Sequence, residues 1–216
     1  MRNSRDREKS KFAAVFVLLV FALSPGGVGG VAAATTPRTI LVFGDSLSSG
    51  YGLAPGEGWV ALLRDRLAAR GGWRVVNASV SGDTTRGGVA RLPEALARNQ
   101  PAIVVIELGA NDGLRGLKLA EMRRNLGRLI ETARGAGARI LLLGVRLPPN
   151  YGPRYSELFQ RSYRDTAARY GVAQVPFLLA GVGGNRALMQ ADGLHPTAAA
   201  QSRLLDNVWK KLAPML

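Results

Sequence analysis

From residue 39 to residue 212, short apolar runs alternate with longer segments whose apolar residues recur at helical spacing. That alternation limits the folds open to this 216-residue chain more than any other feature. Residues 39–43, 73–77, 102–108, 139–145 and 172–177 read as strands, because they are short and rich in apolar and β-branched side chains. The run at 102–108 is almost uninterrupted, the pattern of a central parallel strand buried on both faces. Residues 57–70, 84–99, 119–136, 155–170 and 196–212 read as helices. A break is expected near Pro93, and Pro196 is expected in the first turn of the last helix. In the helix at 119–136, Met122, Leu126, Leu129 and Ile130 fall on one stripe and Arg123, Arg124 and Arg128 on the other. Five strands alternating with helices predict a parallel sheet covered on both faces. The Pro- and Gly-rich stretch 147–153 reads as a loop over the site.

In such a sheet all strand carboxyl ends face one edge, and ligands bind there. After the first strand come Gly44-Asp45-Ser46. After the second comes Asn77-Ala78-Ser79-Val80-Ser81-Gly82-Asp83. The third ends in Gly109-Ala110-Asn111-Asp112-Gly113, and the fifth leads to Asp192-Gly193-Leu194-His195. Ser46 thus sits at a strand end beside a helix start, where backbone N–H groups can hold an anion.

The chain has one histidine, His195. A serine hydroxyl needs a neighbouring base, and imidazole is matched to that task at neutral pH. A carboxylate then fixes its tautomer, and Asp192 can do so from a tight turn. Acyl transfer also needs donors for the developing oxyanion. The candidates are the N–H of Ser46, the N–H of Gly82 and the side-chain amide of Asn111. Each residue also has a plainer reading: Ser46 as a helix cap, Gly82 and Asn111 as turn residues, Asp192 as a cap for the last helix, and His195 as a structural histidine.

The first residues stand apart. Five basic residues among the first eleven precede an uncharged apolar run at 12–23, then small residues ending Ala32-Ala33-Ala34. That order is the signature of a secretory signal peptide, so residues 1–34 are expected to be a leader and 35–216 one hydrolase domain. A retained anchor is the alternative, although the apolar run is short for a span. The expected location is the periplasm or the medium. With no cysteine there is no disulfide and no thiolate chemistry. The formal net charge is +14, of which the leader contributes +3, leaving +11. The arginines are dispersed along helical segments and no aromatic-interleaved basic motif occurs, so nucleic acid is not the expected partner. The charge can instead favour approach to anionic lipid head groups.

Gly44-Asp45-Ser46-Leu47, the Gly82 block, Gly109-Ala110-Asn111-Asp112 and Asp192-x-x-His195 resemble, in order, the four blocks of the SGNH, or GDSL, hydrolases. Ser81-Gly82-Asp83-Thr84, residues 111–116 and residues 146–152 resemble the exported bacterial group described as acyl-CoA thioesterase, arylesterase and lysophospholipase. The resemblance implies a three-layer α/β/α sandwich with a flavodoxin-like five-stranded parallel sheet. It implies Ser46 as nucleophile, His195 as base and Asp192 as its orienter, with Ser46, Gly82 and Asn111 as the oxyanion hole. It further implies small acyl esters, thioesters and lysophospholipids as substrates; no cofactor or metal is expected, and nothing in the sequence points beyond a monomer. Ala110 departs from the closest group, where a second glycine is common. Leu114, Pro148 and Tyr151 are expected to hold the acyl chain. Two other readings are a carbohydrate O-acetylesterase and a non-catalytic module binding a lipid or an anion in the same pocket.

Overall fold

The central strand of the sheet is β3 (Ile103–Glu107), and none of its five residues reaches solvent. In the computed structural model, which describes residues 37–216, it lies in a five-stranded parallel sheet. The other strands are β1 (Arg38–Gly44), β2 (Trp73–Asn77), β4 (Arg139–Leu143) and β5 (Ala173–Val175). Their order is β2-β1-β3-β4-β5. Val42 of β1 stands opposite Asn77 of β2 and Val105 of β3, and Val105 stands opposite Leu141 of β4. Burial follows this order. Ile40 to Phe43 and Leu141 to Leu143 are fully buried, whereas the edge strands β2 and β5 are only partly covered.

The helices are α1 (Ser46–Ser49), α2 (Trp59–Ala68), α3 (Thr85–Asn99), α4 (Ala110–Leu114), α5 (Leu119–Gly135), α6 (Pro153–Tyr170) and α7 (Gln201–Leu212). Helices α3, α5 and α6 pack side by side on one face of the sheet, with α2 and α7 against each other on the opposite face. The result is the expected three-layer α/β/α arrangement. Helix α5 buries Met122, Leu126, Leu129, Ile130 and Ala133 and turns Arg123, Arg124 and Arg128 to solvent, as its periodicity requires.

Two proline expectations fail. Pro93 does not break α3, which runs unbroken through it. Buried Leu92 and Leu96 flank Pro93 and hold both halves to the core, which offsets the lost hydrogen bond. Pro196 does not open the last helix. It is buried and bridges Met189 instead, and the helical turn begins at Ala198. The Asn-Asp-Gly turn signal lies inside the short helix α4. The leader expected at 1–34 lies outside the described residues. Among the described residues no helix is long and apolar enough to cross a membrane.

Between β1 and β3 the chain switches its direction of winding. Crevices open at such a switch point, outside the strand carboxyl ends. Ser46 follows β1 there, and Asn111 follows β3.

Candidate active site

The chain can leave β1 where it does only because residue 44 has no side chain. A Cβ on Gly44 would stand 2.7 Å from the Glu107 Oε2 and 2.9 Å from the Glu107 carbonyl oxygen. Asp45 then caps α1, with Oδ1 accepting a hydrogen bond from the Leu47 N–H at 3.1 Å. The capping role thus falls to Asp45, and Ser46 is the first residue of the helix. The N–H of a first helical residue has no acceptor within its own helix.

The loop after β5 brings His195 to Ser46. Its Nε2 lies 2.8 Å from the Ser46 Oγ, and its Nδ1 lies 2.6 Å from the Asp192 Oδ2. The other Asp192 oxygen accepts the N–H groups of Leu194 at 2.8 Å and His195 at 3.0 Å. Partial burial pushes the Asp192 carboxyl up, but the His195 ring and these two N–H groups outweigh it and hold the group at about 2. An ionised Asp192 can only accept, so Nδ1 of the neutral imidazole carries the proton and Nε2 accepts from the serine hydroxyl. This arrangement can take a proton from Ser46 as it attacks.

The loop that carries the pair is fastened at its base. Met189 bridges Pro196, the Gln190 N–H donates to the His195 carbonyl at 2.7 Å, and the Thr197 N–H donates to the Leu188 carbonyl at 2.9 Å. The Gln190 amide donates to the Tyr51 carbonyl at 2.9 Å and the Pro196 carbonyl at 3.0 Å, tying this loop to the one after α1. The Tyr51 ring lies 4.5 Å from the His195 ring.

Gly82 adopts φ 79°, a left-handed conformation that glycine takes without strain. Its loop is gripped from two sides. Arg91 donates to the Asp83 Oδ2 through Nε at 2.9 Å and Nη2 at 2.6 Å, and to the Ala78 carbonyl at 3.0 Å. The Arg91 guanidinium lies 4.4 Å above the Phe43 ring. Arg115 donates to the Gly82 carbonyl at 2.7 Å. The Asn111 amide reaches the same place from α4, donating to the Asp83 carbonyl at 2.9 Å and the Asp45 Oδ2 at 3.2 Å. Both hydrogens of that amide are therefore committed inside the protein.

Beneath Ser46, Asp45 is paired with a second acid, Glu107, which the sequence reading passed over. Glu107 reads as the tail of an apolar strand, yet its side chain lies fully buried under the serine turn. Its Oε2 accepts the Ser48 hydroxyl at 2.8 Å and the Asp45 N–H at 3.3 Å, and its Oε1 has no partner. Burial pushes the Glu107 carboxyl well up, and the nearby Asp45 charge adds to it. Burial likewise pushes Asp45 up to about 6, against the lowering effect of the Leu47 N–H, Glu107, His195 and Asn111. Tyr51, Gln190 and Arg91 were also passed over, because nothing local in the chain marks which loops will touch.

A cleft of about 540 Å³ opens over Ser46, His195, Gly82 and Asn111. Its walls are mostly apolar and include Leu114, Leu147, Pro148, Phe177, Leu179 and Met189. Of the three residues expected to hold an acyl chain, Leu114 and Pro148 line the cleft. Tyr151 does not. It stands behind, with its hydroxyl donating to the Leu114 carbonyl at 2.8 Å. The loop at 147–153 contributes to the wall as expected. Among the described residues no three metal-ligating side chains cluster.

Residues 42–203 match the GDSL-like Lipase/Acylhydrolase family. Esterase TesA of Pseudomonas aeruginosa is 58% identical over 180 residues, 83% of this chain and 90% of that protein. Thioesterase 1/protease 1/lysophospholipase L1 of Escherichia coli K12 is 41% identical over 183 residues, 85% of this chain and 87% of that protein. A crystal structure of TesA superposes with a TM-score of 0.81 at 58% identity, covering 83% of this chain and 100% of the other. The chain belongs to the GDSL-like lipase/acylhydrolase family, the SGNH hydrolases, and is a serine ester hydrolase.

Proposed function

We propose that Ser46 is the nucleophile, His195 the general base and Asp192 the group that orients it. The Ser46 oxygen bonds to the carbonyl carbon of an ester or thioester as its proton passes to the His195 Nε2. Collapse of the tetrahedral intermediate breaks the bond to the leaving group, which takes that proton. Water then adds to the acyl-enzyme by the same route, releasing the acid and restoring Ser46. The observation that carries this reading is the pair of contacts at 2.8 and 2.6 Å linking Ser46, His195 and Asp192.

The oxyanion is held by the N–H groups of Ser46 and Gly82 and by the Asn111 amide. Asn111 can serve only by loosening one existing bond, and the longer one, to Asp45, is the one to yield. The acyl chain lies against Leu114, Leu147, Pro148 and Phe177. Such walls suit a hydrocarbon chain better than a sugar ring, which argues against a carbohydrate O-acetylesterase. The substrates are small carboxylic esters, thioesters and lysophospholipids. The protein is a monomer whose residues 1–34 direct it to the periplasm or the medium. N-terminal sequencing of the exported protein tests that last point.

The deciding experiment is hydrolysis of a short p-nitrophenyl ester by Ser46→Ala and His195→Ala. Each substitution is expected to lower kcat by at least about 10³-fold. Near-normal turnover by either variant overturns the assignment.

A further inference from the structure

The described residues expose five large apolar side chains: Tyr51, Val80, Leu117, Leu158 and Leu194. Isolated exposed apolar residues are ordinary on a soluble protein, and it is their distribution that matters. Tyr51 lies in the loop after α1, Val80 after β2, Leu117 after α4 and Leu194 after β5. Leu158 lies in the second turn of α6, which begins at the same edge of the sheet. All five therefore belong to segments that leave the carboxyl ends of the strands, and Tyr51 and Leu194 line the cleft itself. Among the described residues the opposite edge exposes none.

The charges on these segments are also one-sided. Arg115, Lys118, Arg146, Arg154 and Arg186 are exposed and make no ion pair with a carboxylate among the described residues. The carboxylates nearby are mostly occupied. Asp83 pairs with Arg91, Glu121 with Arg86, and Glu157 with Arg161. Asp45, Glu107 and Asp112 are buried, and Asp192 is bonded to His195. Glu57 is the remaining exposed acid on these loops. Apolar tips and unpaired cations on the segments that border one cleft fit a surface that is apolar below and anionic on top.

We propose that this rim docks the protein onto an anionic phospholipid surface, with the cleft facing the lipid. Apolar side chains enter the boundary between head groups and acyl chains while the cations meet the phosphates. Docking of this kind does not require catalysis, so it stands apart from the assignment of Ser46. It explains why a basic protein keeps its apolar exposure at one edge, where that exposure would otherwise promote aggregation.

The test is sedimentation of the full chain, in the Ser46→Ala form so that lipid is not consumed, with vesicles of phosphatidylcholine alone or mixed equally with phosphatidylglycerol. Binding to the anionic vesicles is expected to exceed binding to the neutral ones at least tenfold, and to weaken as salt is raised. Lys118→Gln with Arg154→Gln is expected to weaken the anionic binding about thirtyfold. Leu117→Ser with Leu158→Ser is expected to weaken it about tenfold. The same pairs placed in the Ser46 protein should leave hydrolysis of a water-soluble ester unchanged, which shows that they fold. Equal binding to both kinds of vesicle overturns the proposal, and so does anionic binding that neither pair reduces. A leader that binds lipid contributes equally to every variant, so the comparison isolates the rim.

Discussion

Asp45 works at two levels, capping α1 through one oxygen and holding the Asn111 amide through the other. It does so while buried beside Glu107, with no cation at either carboxyl, and that has a consequence for stability. An aspartate in the unfolded chain ionises near pH 4, whereas Asp45 in the folded chain ionises at about 6. Between those values the folded state holds more protons than the unfolded state, so stability falls as pH rises through the window. Asp192 acts with the opposite sign and in a lower window. Its folded value of about 2 gives stability that is present above pH 4 and lost as pH falls toward 2. Glu107, pushed well up by its burial, adds a decline of the same sign over this window. Asp45→Asn should therefore reduce but not abolish the decline between pH 4 and 6, as read by urea unfolding, and leave the acid limb below pH 4 in place. A decline as steep as that of the unsubstituted protein would assign it to another group. The same substitution turns an amide toward the Asn111 amide, so it is also expected to lower kcat about tenfold.

At the scale of elements, the loop between β5 and α7 does the positioning. Asp192 and His195 sit on its tip, and the backbone bonds of Leu188, Gln190 and Thr197 close its base. Gln190 reaches across to the Tyr51 carbonyl and, among the described residues, is the one side chain of this loop that bonds to the loop after α1. Removing it frees two loops relative to each other while leaving the core untouched. Gln190→Ala is expected to reduce kcat/KM about tenfold and to shift Tm by only a few degrees. A large drop in Tm with normal activity would mean that the contact serves stability alone. The elements themselves were legible from periodicity, since each strand reads as a short apolar run and each long helix as an apolar stripe. The two proline errors have a common cause. A proline changes local backbone chemistry, but buried neighbours decide whether a helix survives it or a loop captures it. Pro93 is held by Leu92 and Leu96, and Pro196 by its bridge to Met189.

For the molecule as a whole, charge is the property with the widest reach. Residues 35–216 carry +11, and the ion pairs seen are mostly on the surface, where each contributes about 0–1 kcal/mol. Self-repulsion should outweigh them. Raising NaCl from about 10 to 300 mM shortens the screening length from about 30 Å to well under 10 Å. Tm is expected to rise over that range, and a fall would show that the pairs dominate. The same screening should release the protein from anionic vesicles, so salt is expected to move folding and docking in opposite directions.

By itself the sequence determined the layering, the parallel sheet and the set of strand ends that share an edge, because burial periodicity is a local property written into each segment. It also singled out the imidazole, since the chain has one. What only the tertiary structure decided are the contacts between segments far apart in the chain. They include the Asp45–Glu107 pair, the bond from Gln190 to the Tyr51 carbonyl, the ring of Tyr51 beside His195, and the retreat of Tyr151 behind Leu114. These depend on strand order, on register and on how loops from different strands meet. No short window of sequence carries that information, because each partner is chosen by the packing of the rest.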